Sequence, residues 1–456
     1  MKPTSIQALL QANVLLPVHK RHSFGKLIYV LAFLKAWSDS CCAHASQKQG
    51  YLSPKPDAAI VAAQRLSMAA KTMYDSFLPA DVARILTPDE AKSLASTVDS
   101  AIARLVLANP TLKDVFQPGH FLLLQSVYAK SKAKTAPHAL VSILATINQV
   151  KFEHAAPSFA CANEFAWVMP ASTQNSNITA RAVAPLIAQL MNPQAFDVVL
   201  DMVCGQGHLL LALADQLACT QPNATLQLIG MEKDHDQWAL AKMLLSLAGL
   251  PHQGIQHHYA LSRGYNGLSE AEQKLTTGGA DMVVIVLPEK FTKWPSALAR
   301  DNQDPRFKVH LPIDGRLALF WLGLVAMKPD GGRMAILVPM DAFCPLGGLE
   351  LAKHIVDLNL LDAVIALPGI KGYVLLMLHT QRTQSPIGFI QTKPPITNYT
   401  VDGICAVRSA WQHYQTGRAH PCVVRIERTV IAANHYQFDL HAYEEQIQAT
   451  QTIPKF

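Results

Sequence analysis

Phe196-Asp197-Val198-Val199-Leu200-Asp201-Met202-Val203-Cys204-Gly205-Gln206-Gly207-His208, continued by Leu209-Leu210-Leu211-Ala212-Leu213, decides how the chain is read. A short β-branched run ends in two glycines flanking one residue, and helix formers follow at once. That order predicts a buried strand, a tight turn and an apolar helix. Glycine lets the backbone turn sharply and lets a ligand approach without a Cβ in the way. The helix behind it offers free N–H groups at its start. A turn of this kind holds a nucleotide-like ligand in many α/β proteins.

Outward from this stretch the pattern alternates. Ala182–Met191 reads as a helix before it. Leu226–Glu232 reads as a second strand, followed by a helix over Asp236–Ala248 that Gly249 closes. Ile255–Tyr259 is a weak third strand and Asp281–Val286 a clear fourth. Arg316–Met327 is a helix, Arg333–Val338 a fifth strand and Leu349–Leu358 a helix. Leu361–Leu367 and Tyr373–His379 are two more strands. Strands alternating with helices predict a mainly parallel sheet covered on both faces. Ligands of such sheets bind at the carboxyl ends of the strands, where Gly205 and Gly207 sit.

Before residue 160 the text reads as helical. Phe24–Asp39 is strongly apolar, and Asp57–Tyr74 is a second candidate. Thr87-Pro88-Asp89-Glu90 combines a cap, a proline and an acidic first turn, opening a helix to about Leu107. After about 385, prolines interrupt the pattern. Ala406–Gln415 reads as a helix and Val423–Arg428 as a strand within a tail that packs elsewhere or on a partner. The expected domains are therefore 1–160, all helical; 161–384, an α/β sheet; and 385–456, a C-terminal tail.

The chain has 456 residues, half of them hydrophobic and 16% charged, which excludes a disordered protein. Its net charge is +6, with the excess before residue 150. Lys130, Lys132 and Lys134 form a basic strip, read either as a solvated loop or as a phosphate contact. The 8 cysteines form no CxxC pair, so neither a metal site nor a disulfide framework is expected. His252, His257 and His258 read as loop histidines. No apolar run is long enough to span a bilayer, and reduced thiols fit a cytoplasmic chain.

Glu232 stands at the end of the second strand, where a carboxylate meets the two hydroxyls of a ribose. Two cofactor classes fit a glycine turn with such a carboxylate: a dinucleotide and S-adenosylmethionine. A dinucleotide fingerprint needs a third glycine where Leu210 stands, so the pattern leans away from it. A glycine turn that only packs is the competing reading.

In these motifs the sequence resembles the methylation subunit of type I restriction-modification systems, an adenine-N6 DNA methyltransferase. That family's cofactor motif, Asp-Pro-Ala-Cys-Gly-Thr-Gly-Gly, is matched at Asp201, Cys204, Gly205 and Gly207. Gly230-Met231-Glu232-Lys233, Lys328-Pro329-Asp330-Gly331-Gly332-Arg333 and Ala363–Pro368 resemble later segments. Phe33-Leu34-Lys35 with Ser38-Asp39, and Asn109-Pro110 with Leu112–Phe116, resemble its helical domain. Asn434–Leu440 with Tyr443 resembles its closing segment, which meets the specificity subunit. The resemblance implies a Rossmann-like S-adenosylmethionine-dependent methyltransferase sheet behind an all-helical domain. It implies a cofactor held by Asp201, Cys204, Gly205, Gly207, Glu232 and Thr179. It also implies double-stranded DNA as substrate, with a separate specificity subunit or an active methylase homologue as partner.

Two departures bear on chemistry. Methylating adenine requires a flipped base whose N6 amine is activated by hydrogen-bond acceptors. The family supplies them with Asn-Pro-Pro-Phe after the fourth strand. The matching positions here are Val286, Leu287, Pro288 and Glu289, of which Pro288 alone agrees. The family's Gly-Glu-Phe-Tyr-Thr-Pro-Arg, whose rings help to enclose the cofactor, is here Asn175-Ser176-Asn177-Ile178-Thr179-Ala180-Arg181. His208 replaces a small residue. The expectation is a family member with little or no catalysis and weak cofactor binding. The alternatives are an active adenine-N6 methyltransferase needing a specificity subunit, and a methyltransferase for another substrate that uses Glu289 or Lys290.

Overall fold

A computed structural model gives the architecture. It describes residues 28–37, 88–116, 157–168, 175–262, 276–290, 314–343, 348–367, 372–382, 386–391 and 401–443, with single positions 147, 152 and 273. In chain order the helices are α1 (Pro88–Ala108), α2 (Phe159–Val168), α3 (Asn175–Met191), α4 (His208–Thr220), α5 (His235–Leu247), α6 (Gly315–Ala326), α7 (Gly348–Asp357), α8 (Val401–Gln415) and α9 (Arg428–Ala433). Residues 28–37 are also helical. The strands are β1 (Val198–Asp201), β2 (Gln227–Glu232), β3 (Ile255–His257), β4 (Met282–Val286), β5 (Arg333–Pro339), β6 (Leu361–Ala366), β7 (Tyr373–His379), β8 (Ile387–Ile390) and β9 (Val423–Ile426). Asp57–Tyr74 and Lys130–Lys134 lie outside the described residues.

Two compact units result. One comprises residues 1–171 and 235–253, the other 172–234 and 254–456. In the first, the helix at 28–37 is buried through Phe33, whose ring meets Trp37, Phe116 and Phe165 at centroid distances of 5.7, 5.8 and 6.2 Å. Helix α5 belongs to this unit although it lies between two strands in sequence. His235 Nε2 pairs with the Asp114 carbonyl at 2.8 Å, and His252 Nε2 with Thr111 Oγ1 at 3.0 Å. His257 pairs instead with the Lys233 carbonyl at 3.0 Å, and His258 with Ser262 at 3.2 Å. The three neighbouring histidines thus have separate structural partners. Among the described residues no group of His, Cys, Asp and Glu can hold a metal ion.

The second unit is a nine-stranded sheet in the order β3-β2-β1-β4-β5-β7-β6-β8-β9. Strands β3, β2, β1, β4 and β5 run parallel, while β7 enters antiparallel between β5 and β6. The parallel strands are apolar on both faces because helices cover both, and every residue of β1 and of β4 is buried. Asp281 anchors the amino ends of two strands: its Oδ2 accepts from Val198 N at 2.8 Å and its Oδ1 meets Lys328 Nζ at 2.5 Å.

Two differences from the sequence reading have physical causes. Helix α3 begins at Asn175, not near Ala182. The family pattern places a proline at position 180, which would keep the preceding residue out of helical geometry. Ala180 removes that restraint. The segment after 385, expected as a tail, extends the sheet: β8 pairs parallel with β6 and antiparallel with β9. The run Ile387–Ile390 is too short to weigh as a strand in sequence, yet it is wholly buried.

Candidate functional site

The switch from β1 to α4 is built by backbone geometry. Gly205 and Gly207 have φ of 52° and 82°, which side chains rarely tolerate. Gly207 N donates to the Cys204 carbonyl at 2.8 Å, and Leu211 N to the Gly207 carbonyl at 3.0 Å, so the turn feeds the helix directly. Cys204 N donates to Met231 O at 3.0 Å, tying the turn to β2. Gly230 lets the two approach: a Cβ there would lie 3.0 Å from Cys204 Sγ and from Ile255 Cδ1.

Glu232 closes the other side. Its Oε2 accepts from Gly205 N at 3.0 Å and its Oε1 from Asp234 N at 2.8 Å. Asp201 is buried at the end of β1 and accepts from Val203 N at 3.1 Å. Five of the six residues implied as cofactor ligands, Asp201, Cys204, Gly205, Gly207 and Glu232, therefore converge on one turn. Thr179 lies within α3, and its side chain is outside what is described.

Two side chains of the turn are buried against each other. Gln206 is 3% exposed and His208 9%, and His208 Nε2 lies 3.1 Å from Gln206 Oε1. Burial and the Arg181 charge push His208 down to about 3, so it is neutral at physiological pH. A cation at the first residue of a helix would also oppose the helix dipole. Backbone and carboxylate suit an adenosyl ligand: left-handed glycines, a helix start and an acceptor at the end of β2. The side chains depart from that pattern, because Gln206 and His208 are buried and stand where the resembled motif has threonine and glycine.

Burial raises Asp201 to about 8, partly opposed by the Val203 N–H and reinforced by the Glu232 charge. Burial also raises Glu232. In the unfolded chain an aspartate loses its proton at ~pH 4. Between that value and about 8 the folded chain binds more protons than the unfolded one, so stability falls as pH rises. Urea unfolding at pH 5 to 8 should show this decline, and Asp201→Asn should flatten it and be the more stable at pH 8. An unchanged slope would mean that the proton resides elsewhere.

The four positions that match the family's catalytic motif stand at the carboxyl end of β4. Val286 and Leu287 are buried, Pro288 is half-buried and Glu289 is exposed. Leu287 N donates to Leu337 O at 3.0 Å. The carbonyl of Glu289 accepts from Arg316 Nη1 at 2.8 Å. Asp314 caps α6 by accepting from Arg316 N at 2.9 Å, and its Oδ2 meets Arg316 Nη2 at 2.7 Å. Arg316 Nη1 also reaches Asp341 at 3.1 Å. Sequence reading missed this network. Asp341 carried the available signal, a carboxylate just past the end of a predicted strand.

In solved structures the fold matches a type I restriction-modification methyltransferase subunit from Streptococcus thermophilus. That match has TM-score 0.65 and 14% identity, over 96% of this chain and 98% of that one. A modification subunit of a putative type I restriction enzyme from Vibrio vulnificus matches at TM-score 0.59 and 12% identity, over 94% and 93%. No curated protein matches the chain by sequence. The model of the N-6 DNA methylase family matches residues 162–450, a span that contains the glycine turn, the β4 edge and the C-terminal strands. The chain belongs to the N-6 DNA methylase family.

Proposed function

We propose that this chain is a methylation-subunit-like protein that engages double-stranded DNA and transfers little or no methyl group itself. It would act beside a specificity subunit or an active methylase homologue. The observation that carries this reading is the end of β4. Val286 has no acceptor for an amine, Glu289 brings a carboxylate where the family has a stacking ring, and the Glu289 carbonyl is already bonded to Arg316. Loss of one preorganised polar group in an active site costs about 100- to 1000-fold in rate. Loss of the ring compounds it.

Retention of the glycine turn supports a second reading, an active S-adenosylmethionine-dependent adenine-N6 methyltransferase that needs a specificity subunit. In that case Asp201, Cys204, Gly205, Gly207 and Glu232 would hold the cofactor, which supplies the methyl group. Incubating the purified chain with S-adenosylmethionine and unmethylated DNA separates the two. The first reading expects no N6-methyladenine by mass spectrometry and weak or absent binding by calorimetry. Methylated adenine establishes the second, whereas tight binding abolished by Gly205→Leu overturns the weak-binding expectation alone. A gel shift with duplex DNA tests the shared part.

A further inference from the structure

Two histidines meet where α8 hands the chain on to β9, the outermost strand of the sheet. Helix α8 ends at Gln415, Gly417 turns the chain at φ of 72°, and Arg418 N donates back to the His413 carbonyl at 2.9 Å. His413 stands on the last turn of α8 and His420 on the connecting segment. Both are half-buried, with ring centroids 4.9 Å apart. The Cys422 carbonyl accepts from Gln391 N at 3.0 Å, and Val423 N donates to the His420 carbonyl at 3.0 Å. The β8–β9 ladder therefore starts from this segment.

Backbone partners fix where the ring protons sit. Cys422 N lies 3.2 Å from His420 Nδ1, and a backbone N–H can only donate. His420 Nδ1 is therefore an acceptor, its one proton is on Nε2, and the ring is neutral. His413 Nδ1 lies 2.8 Å from the Ser409 carbonyl, which can only accept, so that nitrogen carries a proton in either charge state. Of the two rings, His420 alone makes a bond that exists in one charge state only. The charged and titratable groups about the joint are His413 and Tyr414 of α8, Arg418 and Cys422 of the segment, and Arg425 of β9. Arg425 Nη2 donates to the carbonyls of His413, Tyr414 and Arg418 at 3.4, 3.2 and 3.1 Å. Strand β8, Ile-Gly-Phe-Ile, brings no charge. None of these groups is a carboxylate.

We propose that His420 is a proton-sensitive latch: neutral, it holds the start of β9 against β8 and α8, and protonated, it lets that joint open. A second ring proton goes to Nδ1, the atom that accepts from Cys422 N, so the bond does not survive protonation. The new cation would also face His413 and the two arginines without an acid to pair with. Burial and His413 both push His420 below the usual histidine range, which makes the neutral, closed state the resting one. A released ring takes its proton at ~pH 6.5. Closure is therefore complete above that value and is lost as pH falls through the lower value of the closed ring. Opening leaves β8 with an unpaired edge, of the kind that pairs with other chains.

Hydrogen exchange of the full chain tests this, with each rate divided by that of an unstructured peptide at the same pH. Between pH 8 and pH 5 the protection of amides 422–426 should fall about fivefold, the worth of one hydrogen bond. His420→Asn keeps an acceptor for the N–H two residues on but cannot titrate. It should hold the protection of pH 8 at both values, and the comparison cancels what Asp201 and other groups contribute to both proteins. His420→Ala should show the lower protection at both. Protonation of His420 at Nε2 in proton–nitrogen NMR at pH 8 is the companion expectation. An unchanged wild type, a fall repeated in His420→Asn, full protection in His420→Ala at pH 8, or a ring proton on Nδ1 overturns the proposal.

Discussion

Replacing Arg316 by methionine should lower the stability of the folded chain by about 3–5 kcal/mol, the range seen when one partner of a buried ion pair is removed. Arg316 is 3% exposed and Asp314 10%, with 2.7 Å between charged atoms. Methionine fills similar volume but leaves Asp314 buried without its cation, and frees the Glu289 carbonyl. Asp341, 66% exposed, should behave differently. Asp341→Asn removes a solvent-screened charge from a pair of the kind usually worth ~1 kcal/mol or less. Urea unfolding of the two variants should therefore separate them clearly. Adding Asp314→Asn to Arg316→Met should recover part of the loss, since the orphaned charge goes with it. A loss under ~1 kcal/mol for Arg316→Met would mean that the network is not a structural lock.

The consequence reaches function. The Glu289 carbonyl, just after β4, is bonded to Arg316 of the protein itself. The stretch that matches the family's catalytic motif is thus part of a stabilising network, and placing asparagine at Val286 alone would leave that network intact.

How far the sequence reached depended on whether a signal was local. Val198–Leu213 was legible because a buried strand, positive-φ glycines and a helix each leave a mark on neighbouring residues. Glu232 was legible because parallel strands bring their carboxyl ends together, which makes the end of β2 a neighbour of the turn. The direction of β7 was not legible. Nothing in Tyr373–His379 states that it inserts antiparallel between β5 and β6, so Tyr373 could not be placed beside the carboxyl end of β5 beforehand. Nor could Arg316, Glu289 and Asp341 be joined, because their contact requires the order of β4, α6 and β5 in space. The start of α3 was misjudged for a local reason, the missing proline at position 180. Val423–Arg428 was read as a strand and holds β9, whereas β8 went unread because it has four residues, and with it went the pairing that ties both to the sheet.

That last pair makes the sharpest test of how the C-terminal segment works. Phe389 in β8 is fully buried, its ring 5.2 Å from that of Tyr443. Tyr414 of α8 crosses the same strand: a Cβ on Gly388 would meet its ring at 2.7 Å. The Tyr414 hydroxyl donates to the Asp362 carbonyl at 2.8 Å, and Arg382 pairs with Asp362 at 3.1 Å while 2% exposed. Residues after 385 thus complete both the apolar face and the polar seam of β6. Phe389→Ala should cost about 3–5 kcal/mol in the isolated chain, the price of emptying an aromatic site in a closed core. Ending the chain at Ser385 should abolish cooperative unfolding, because the outer edge of β6 would lose its partner strand. A segment serving only as a docking tail predicts the opposite: wild-type urea midpoints for Phe389→Ala and for the truncation, with loss seen only when a partner is added. Since β8 lies inside the sheet, any partner that meets Asn434–Leu440 does so on a segment anchored by the fold, and mutations there must be read for stability before they are read for assembly.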